Sequence, residues 1–79
     1  MTQMQDLIRY IAEALVDRPE EVEVSCIEGE SSIIIELKVA SDDIGKVIGK
    51  GGQTAKAMRK ILSAAATKLK KKSLLQIVE

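Results

Sequence analysis

An α+β fold of order α-β-β-α-α-β, with helices packed on one face of a three-stranded sheet, is what this chain of 79 residues predicts. Three observations carry that expectation. Two stretches repeat apolar residues with the period of an amphipathic helix, and two others alternate apolar with polar residues as half-buried strands do. Between a short helical segment and a long one stands a glycine-rich joint, Val47-Ile48-Gly49-Lys50-Gly51-Gly52-Gln53-Thr54.

Taken in order, Thr2 to Val16 places Met4, Leu7, Ile8, Ile11 and Leu15 on one helical face, and Thr2 with Gln5 has the form of a capping box. The helix is expected to stop near Asp17, because Pro19 disfavours helical geometry in the residue before it. From Glu21 to Glu28, Val22, Val24 and Cys26 alternate with Glu21, Glu23 and Ser25. From Ser32 to Ala40, Ile33, Ile35, Leu37 and Val39 alternate with Ile34, Glu36 and Lys38. With Glu28-Gly29-Glu30-Ser31 as the turn, the pair reads as an antiparallel hairpin. Ser41 is placed to cap a short helix over residues 42–48, whose first-turn Asp42 and Asp43 suit the helix dipole. A second helix is expected over Gln53 to Leu69, with Ala55, Met58, Leu62, Ala65 and Leu69 on its core face. Lys70-Lys71-Lys72 interrupts that pattern as a loop, and Ser73 to Val78 reads as a short strand with Leu75 and Ile77 on one face.

A chain this short is expected to form one domain and to bury roughly 60–65% of its unfolded surface, so its stability margin is thin and association would widen it. Apolar residues make up 46% of the chain, and the one aromatic is Tyr10, so the core must be aliphatic. One cysteine and no histidine exclude an internal disulfide and a Cys/His zinc site, and no metal or other cofactor is expected. Cys26 lies in an alternating pattern and reads as a small buried hydrophobe rather than a reactive thiol. Neither a signal peptide nor an apolar run of membrane-spanning length is seen, so a reducing, cytoplasmic setting fits and no membrane is expected. Catalysis is not expected either, since no histidine can act as base and no carboxylate pair has a sequence reason to converge.

The net charge of zero conceals a segregation. Residues 1–45 hold eleven acids and three bases, net −8; residues 46–79 hold nine bases and one acid, net +8. A cationic face toward an anion is the functional reading, and pairing of the two halves with each other is the plain one.

The glycine joint narrows the anion. A Walker-type loop fails because Gly45 and Gly49-Lys50 stand one residue too close and Gly51 replaces the required Ser or Thr. The dinucleotide fingerprint fails because residue 54 is Thr, and the flanking charges exclude a membrane dimer motif for Gly45 and Gly49. What remains is G-x-x-G, Gly49 to Gly52, joining two helices. Such a joint admits nucleic-acid backbone to the main chain, with Lys50 adding charge and Lys56, Arg59 and Lys60 following. A tight helix–turn–helix hairpin without a ligand is the alternative.

Ile44-Gly45-Lys46-Val47-Ile48-Gly49-Lys50-Gly51-Gly52, continuing into Ala55-Lys56-Ala57-Met58-Arg59, resembles the KH domain, and the element order resembles its type II arrangement. The resemblance spans essentially the whole chain. It implies a single KH domain over 1–79, with an N-terminal extension over about 1–30 and a core over about 31–79. It further implies a non-catalytic, single-stranded RNA-binding module acting in post-transcriptional regulation or as an RNA chaperone. About four nucleotides would be clamped by Gly49, Lys50, Gly51 and Gly52. Bases would lie on Ile44, Val47, Ile48 and Ala55, with Lys46, Gln53, Lys56 and Arg59 beside them. The opposite wall would be Leu74 to Ile77 and the loop Lys68 to Lys72, so that Lys70, Lys71 and Lys72 also meet RNA. The sequence departs from a doubly charged loop in having Gly51 after Lys50.

Two alternatives stay open. Ala57, Ile61, Ala64 and Lys68 form a second stripe on the long helix, and small residues around Ile61 allow another helix to approach. The chain would then be chiefly an assembly module, as a homodimer or, as the resemblance implies, a heterodimer with a larger KH-domain protein. Single-stranded DNA is the other, because a clamp on backbone does not by itself select RNA.

Overall fold

Apolar alternation sets the centre of the sheet. In the computed structural model, which describes residues Gln3 to Val78, strand β2 (Ser32–Lys38) lies between β1 (Glu23–Glu28) and β3 (Lys72–Val78). β1 runs antiparallel to β2 and β3 runs parallel to it. The register aligns the inward residues in two rows, Cys26–Ile35–Leu75 and Val24–Leu37–Ile77. Ile33, Ile35 and Leu37 are fully buried, and each contributes about 1.5–3 kcal/mol of transfer free energy. The shortest extent of the molecule is 17 Å, which has room for one helix layer on one sheet and leaves the second sheet face open.

Three helices cover the inner face: α1 (Gln3–Leu15), α2 (Ile44–Ile48) and α3 (Gln53–Lys68). Met4, Ile8 and Ala12 of α1, Val47 of α2, and Met58 and Leu62 of α3 join the strand residues in one apolar cluster. α1 is also tied to the edge strand. Gln5 Nε2 donates to the Val24 carbonyl at 3.3 Å and Arg9 Nη1 to the Val22 carbonyl at 3.1 Å.

Several local expectations need correction. The first strand starts at Glu23 rather than Glu21, because Pro19–Glu21 winds into a 3-10 turn that suits proline's fixed φ. Val22 N–H closes that turn on the Pro19 carbonyl at 3.1 Å, and Val22 is buried as expected. The second strand ends at Lys38, two residues early, although Val39 stays buried. Ser41 does not cap a helix. It opens a 3-10 turn, Ser41–Asp43, that runs into α2, and neither start carries a side-chain cap. Leu69 is not a core residue: it follows the last residue of α3 and is turned out, while Ala66 takes the buried position and Ala65 is half-buried. Cys26 is half-buried against the core rather than enclosed. Thr2, the expected cap of the first helix, lies outside the described residues.

The lysine segment is also more ordered than a loop. α3 closes in a Schellman motif, with Lys71 N–H on the Ala66 carbonyl at 3.0 Å and Lys70 N–H on the Thr67 carbonyl at 2.9 Å. Lys70 takes φ 58°, where glycine is usual. Lys72 already belongs to β3, its N–H bonding the Ser31 carbonyl at 2.9 Å.

Candidate nucleic-acid interface

The joint between α2 and α3 needs glycine for two different reasons. Gly49 has φ 78° and ψ 170°, a region closed to residues with a side chain, and a Cβ added there would stand 2.8 Å from Thr54 Cβ. Gly49 is thus demanded by the fold itself. Gly51 and Gly52 also have positive φ, 63° and 77°, yet a Cβ on either would meet nothing within 4 Å. Gly51 is exposed, while Gly52 is half-buried and gives its N–H to the Gly49 carbonyl at 3.0 Å. Gly45, the second residue of α2, likewise faces open space. A glycine in a helix costs about 1 kcal/mol relative to alanine, and no packing contact at Gly45 offsets that.

Around this bare strip stand Lys50 and Gln53 at the loop, and Lys56 and Arg59 on the opening turns of α3, all exposed. Ile44 is half-buried and Ile48 exposed, so both offer apolar surface. Val47 and Ala55 do not: at 0% and 3% exposure they face the core and support the surface from beneath. Their expected contact with bases is corrected accordingly, since helix periodicity turns them inward while Ile44 and Ile48 flank them.

Lys46 is held by carboxylates. Its Nζ lies 2.6 Å from Asp17 Oδ2 and 3.5 Å from Asp43 Oδ1. Among the described residues Asp43 is the one buried charge, at 1% exposure, and it also accepts from the backbone N–H of Asp17 at 3.3 Å and of Arg18 at 3.1 Å. Burial pushes its carboxyl pKa upward, but these two N–H groups and the Lys46 ammonium outweigh burial and hold it below the ordinary value. The hydrogen bond to Asp17 raises the Lys46 pKa, against the opposing effect of burial and with Asp43 adding to the rise. Asp43 was legible only as a first-turn acid. Its actual role is to fasten the chain before the glycine joint to the end of α1.

Lys70, Lys71 and Lys72 are not brought to the joint. α3 has 16 residues, so at 1.5 Å per residue these lysines stand about 24 Å along its axis from the glycines. Lys71 is moreover paired with Glu28 at 2.6 Å. The basic half of the chain therefore has two separate cationic ends.

The second stripe of α3, Ala57, Ile61 and Ala64, is exposed. Gln5 and Arg9 face β1, so helical spacing puts Gln3, Leu7, Tyr10 and Ala14 on the other flank of α1. Gln3 shares a hollow with Ala64, Ala65 and Leu69, which places that flank toward α3. Tyr10, the one aromatic, is 73% exposed there. Among the described residues, no cluster of three His, Cys, Asp or Glu that could hold a metal occurs, and no helix is long and apolar enough to cross a membrane.

Helix–GxxG–helix on a three-stranded mixed sheet in this order defines a KH domain of the type II kind. The family model for the KH domain of KhpA and KhpB matches residues 5–77, and the chain belongs to that family. A protein of Caldanaerobacter subterraneus subsp. tengcongensis named RNA-binding protein KhpA is 55% identical over 75 residues, covering 95% of this chain and all of the relative. Proteins of the same name from Clostridium perfringens and Treponema pallidum are 52% and 49% identical, covering 95% and 100% of this chain and 100% and 99% of the relatives. The name these relatives carry is that of a binding protein, in line with the expectation that the chain is not an enzyme. No solved structure matches the chain.

Proposed function

We propose that this chain is a non-catalytic protein that binds single-stranded RNA backbone at Gly49–Gly52 and acts in post-transcriptional regulation in the cytoplasm. The observation that carries the reading is unobstructed main chain at Gly51 and Gly52, where a Cβ would meet nothing within 4 Å, with Lys50 between the glycines and exposed cations following on α3. A helix start and the added charge of Lys50 favour phosphate oxygens, and no side chain on Gly51 or Gly52 obstructs their approach. Neutralising about three phosphates gives a slope of log affinity against log salt near −2 for a single strand.

The test is fluorescence anisotropy of a short labelled oligouridine with the wild type and Lys50→Asp/Gly51→Asp, the fold being checked by circular dichroism. Lost binding in a folded variant supports the reading, and unchanged binding removes it. A deoxy oligonucleotide of matching length separates RNA from single-stranded DNA, which only contacts to the 2′-hydroxyl distinguish.

A second reading, compatible with the first, is assembly. The apolar flank formed by Leu7 and Tyr10 of α1 and by Ala57, Ile61 and Ala64 of α3 suits a second copy or the KH domain of a larger partner. Linking two weak sites raises the effective concentration of the second. Ile61→Asp is expected to halve the solution mass, and an unchanged mass with an intact circular dichroism spectrum would retire the face as an interface between copies.

A further inference from the structure

The ion pairs at Lys46 are unequal in a way that stability does not explain. Asp43 is buried and fixed by two backbone N–H groups, so it needs a cation close by; yet its Oδ1 lies 3.5 Å from Lys46 Nζ. The short contact, 2.6 Å, goes instead to Asp17, whose side chain is 76% exposed. An exposed pair adds little to folding. What Asp17 does is fill the position on Lys46 that an anionic oxygen would take, at the length of a charge-assisted bond. Lys46 is three residues before Gly49 in α2, so it shares the face that leads into the glycine joint.

Resting on the reading of that joint as an RNA-backbone site, we propose that Asp17 is an internal competitor for phosphate at Lys46. Bound RNA exchanges the Asp17 carboxylate for a phosphate oxygen, while Asp43 keeps the lysine in place. Asp17, which lies on the loop after α1, thereby sets the affinity of the cleft. It also adds a penalty that grows as phosphate approaches, because two anions would share one cation. Asp43 cannot serve in this way, since its oxygens are committed to the backbone of Asp17 and Arg18.

The experiment is a four-protein cycle of wild type, Asp17→Asn, Lys46→Gln and the double variant, read by anisotropy of labelled oligouridine at several salt concentrations. Asp17→Asn is expected to bind about two- to fivefold tighter, the range an exposed ion pair allows. The salt slope should stay close to that of the wild type, because Lys46 meets phosphate in the bound state of both proteins. In the Lys46→Gln background the same substitution should change neither quantity. An equal gain in both backgrounds, as a purely structural role would give, or no gain in the wild-type background, overturns the proposal. The Lys50→Asp/Gly51→Asp variant runs in the same series. If it binds as the wild type does, the joint is not the RNA site and the competitor reading falls with it. If it loses binding while Asp17→Asn is inert, the competitor reading fails alone.

Discussion

The two ends of α3 carry similar positive charge and are built in opposite ways. At the N-terminal end, glycines hold the main chain open beside Lys50, Lys56 and Arg59. At the C-terminal end, a Schellman motif closes the last carbonyls, and Lys71 is drawn onto Glu28. Lysines after a helix satisfy its dipole and need no partner. Charge is therefore a poor guide to a nucleic-acid site when taken alone. What distinguishes the two ends is whether a phosphate can reach the backbone.

The largest effect expected from that contrast is on folding at the open end. Gly49→Ala should cost about 2–3 kcal/mol in urea unfolding, from backbone strain plus displacement of Thr54. A cost near zero would show that the joint relaxes freely and is not preformed. The same end should be acid-sensitive. The folded pKa of Asp43 is lowered, so its stabilisation is full above the ordinary value of 3.8 and disappears as pH falls through the lower folded value. Asp43→Asn should flatten the acid limb of a thermal-midpoint profile, and an unchanged limb would assign acid unfolding to other carboxylates. Lys46 works in the other direction: its contribution is full below 10.5 and is lost as pH rises through its elevated value.

Smaller effects sharpen the comparison. Gly45→Ala should stabilise the chain by about 0.5–1 kcal/mol, since alanine favours the helix and its Cβ meets nothing. It should also weaken RNA binding by placing a methyl group in the bare strip. A gain in stability with RNA affinity unchanged would remove α2 from the binding surface. At the closed end, Lys70→Gly should stabilise by up to about 1 kcal/mol, because φ 58° suits glycine and strains lysine. RNA affinity should hardly move.

Periodicity made most of this molecule legible. The alternation of Ile33, Ile35 and Leu37 identified the central strand and its buried face, and the spacing of Met4, Ile8, Met58 and Leu62 identified the helical faces that meet it. The glycine joint was readable because no other phosphate motif fits its spacing. The failures have physical causes. Asp42 and Asp43 are alike in sequence, and only the phase of the 3-10 turn decides that one is exposed and the other buried. Val47 and Ala55 belong to an apolar motif whose members point to different sides once wound into helices. The lysines after α3 were assigned by resemblance to the opposite wall of the cleft, and the length of α3 sets them apart from the glycine joint.

The most direct test of the central claim makes equal changes of charge at the two ends of α3. Lys50→Asp/Gly51→Asp and Lys70→Glu/Lys72→Gln each remove three positive charge units, so any purely electrostatic attraction falls alike. Anisotropy with labelled oligouridine should show a loss of roughly tenfold or more for the first variant and roughly twofold or less for the second. Equal losses from the two folded variants would contradict the account, and would mean that net charge rather than the open backbone at Gly49–Gly52 holds the RNA.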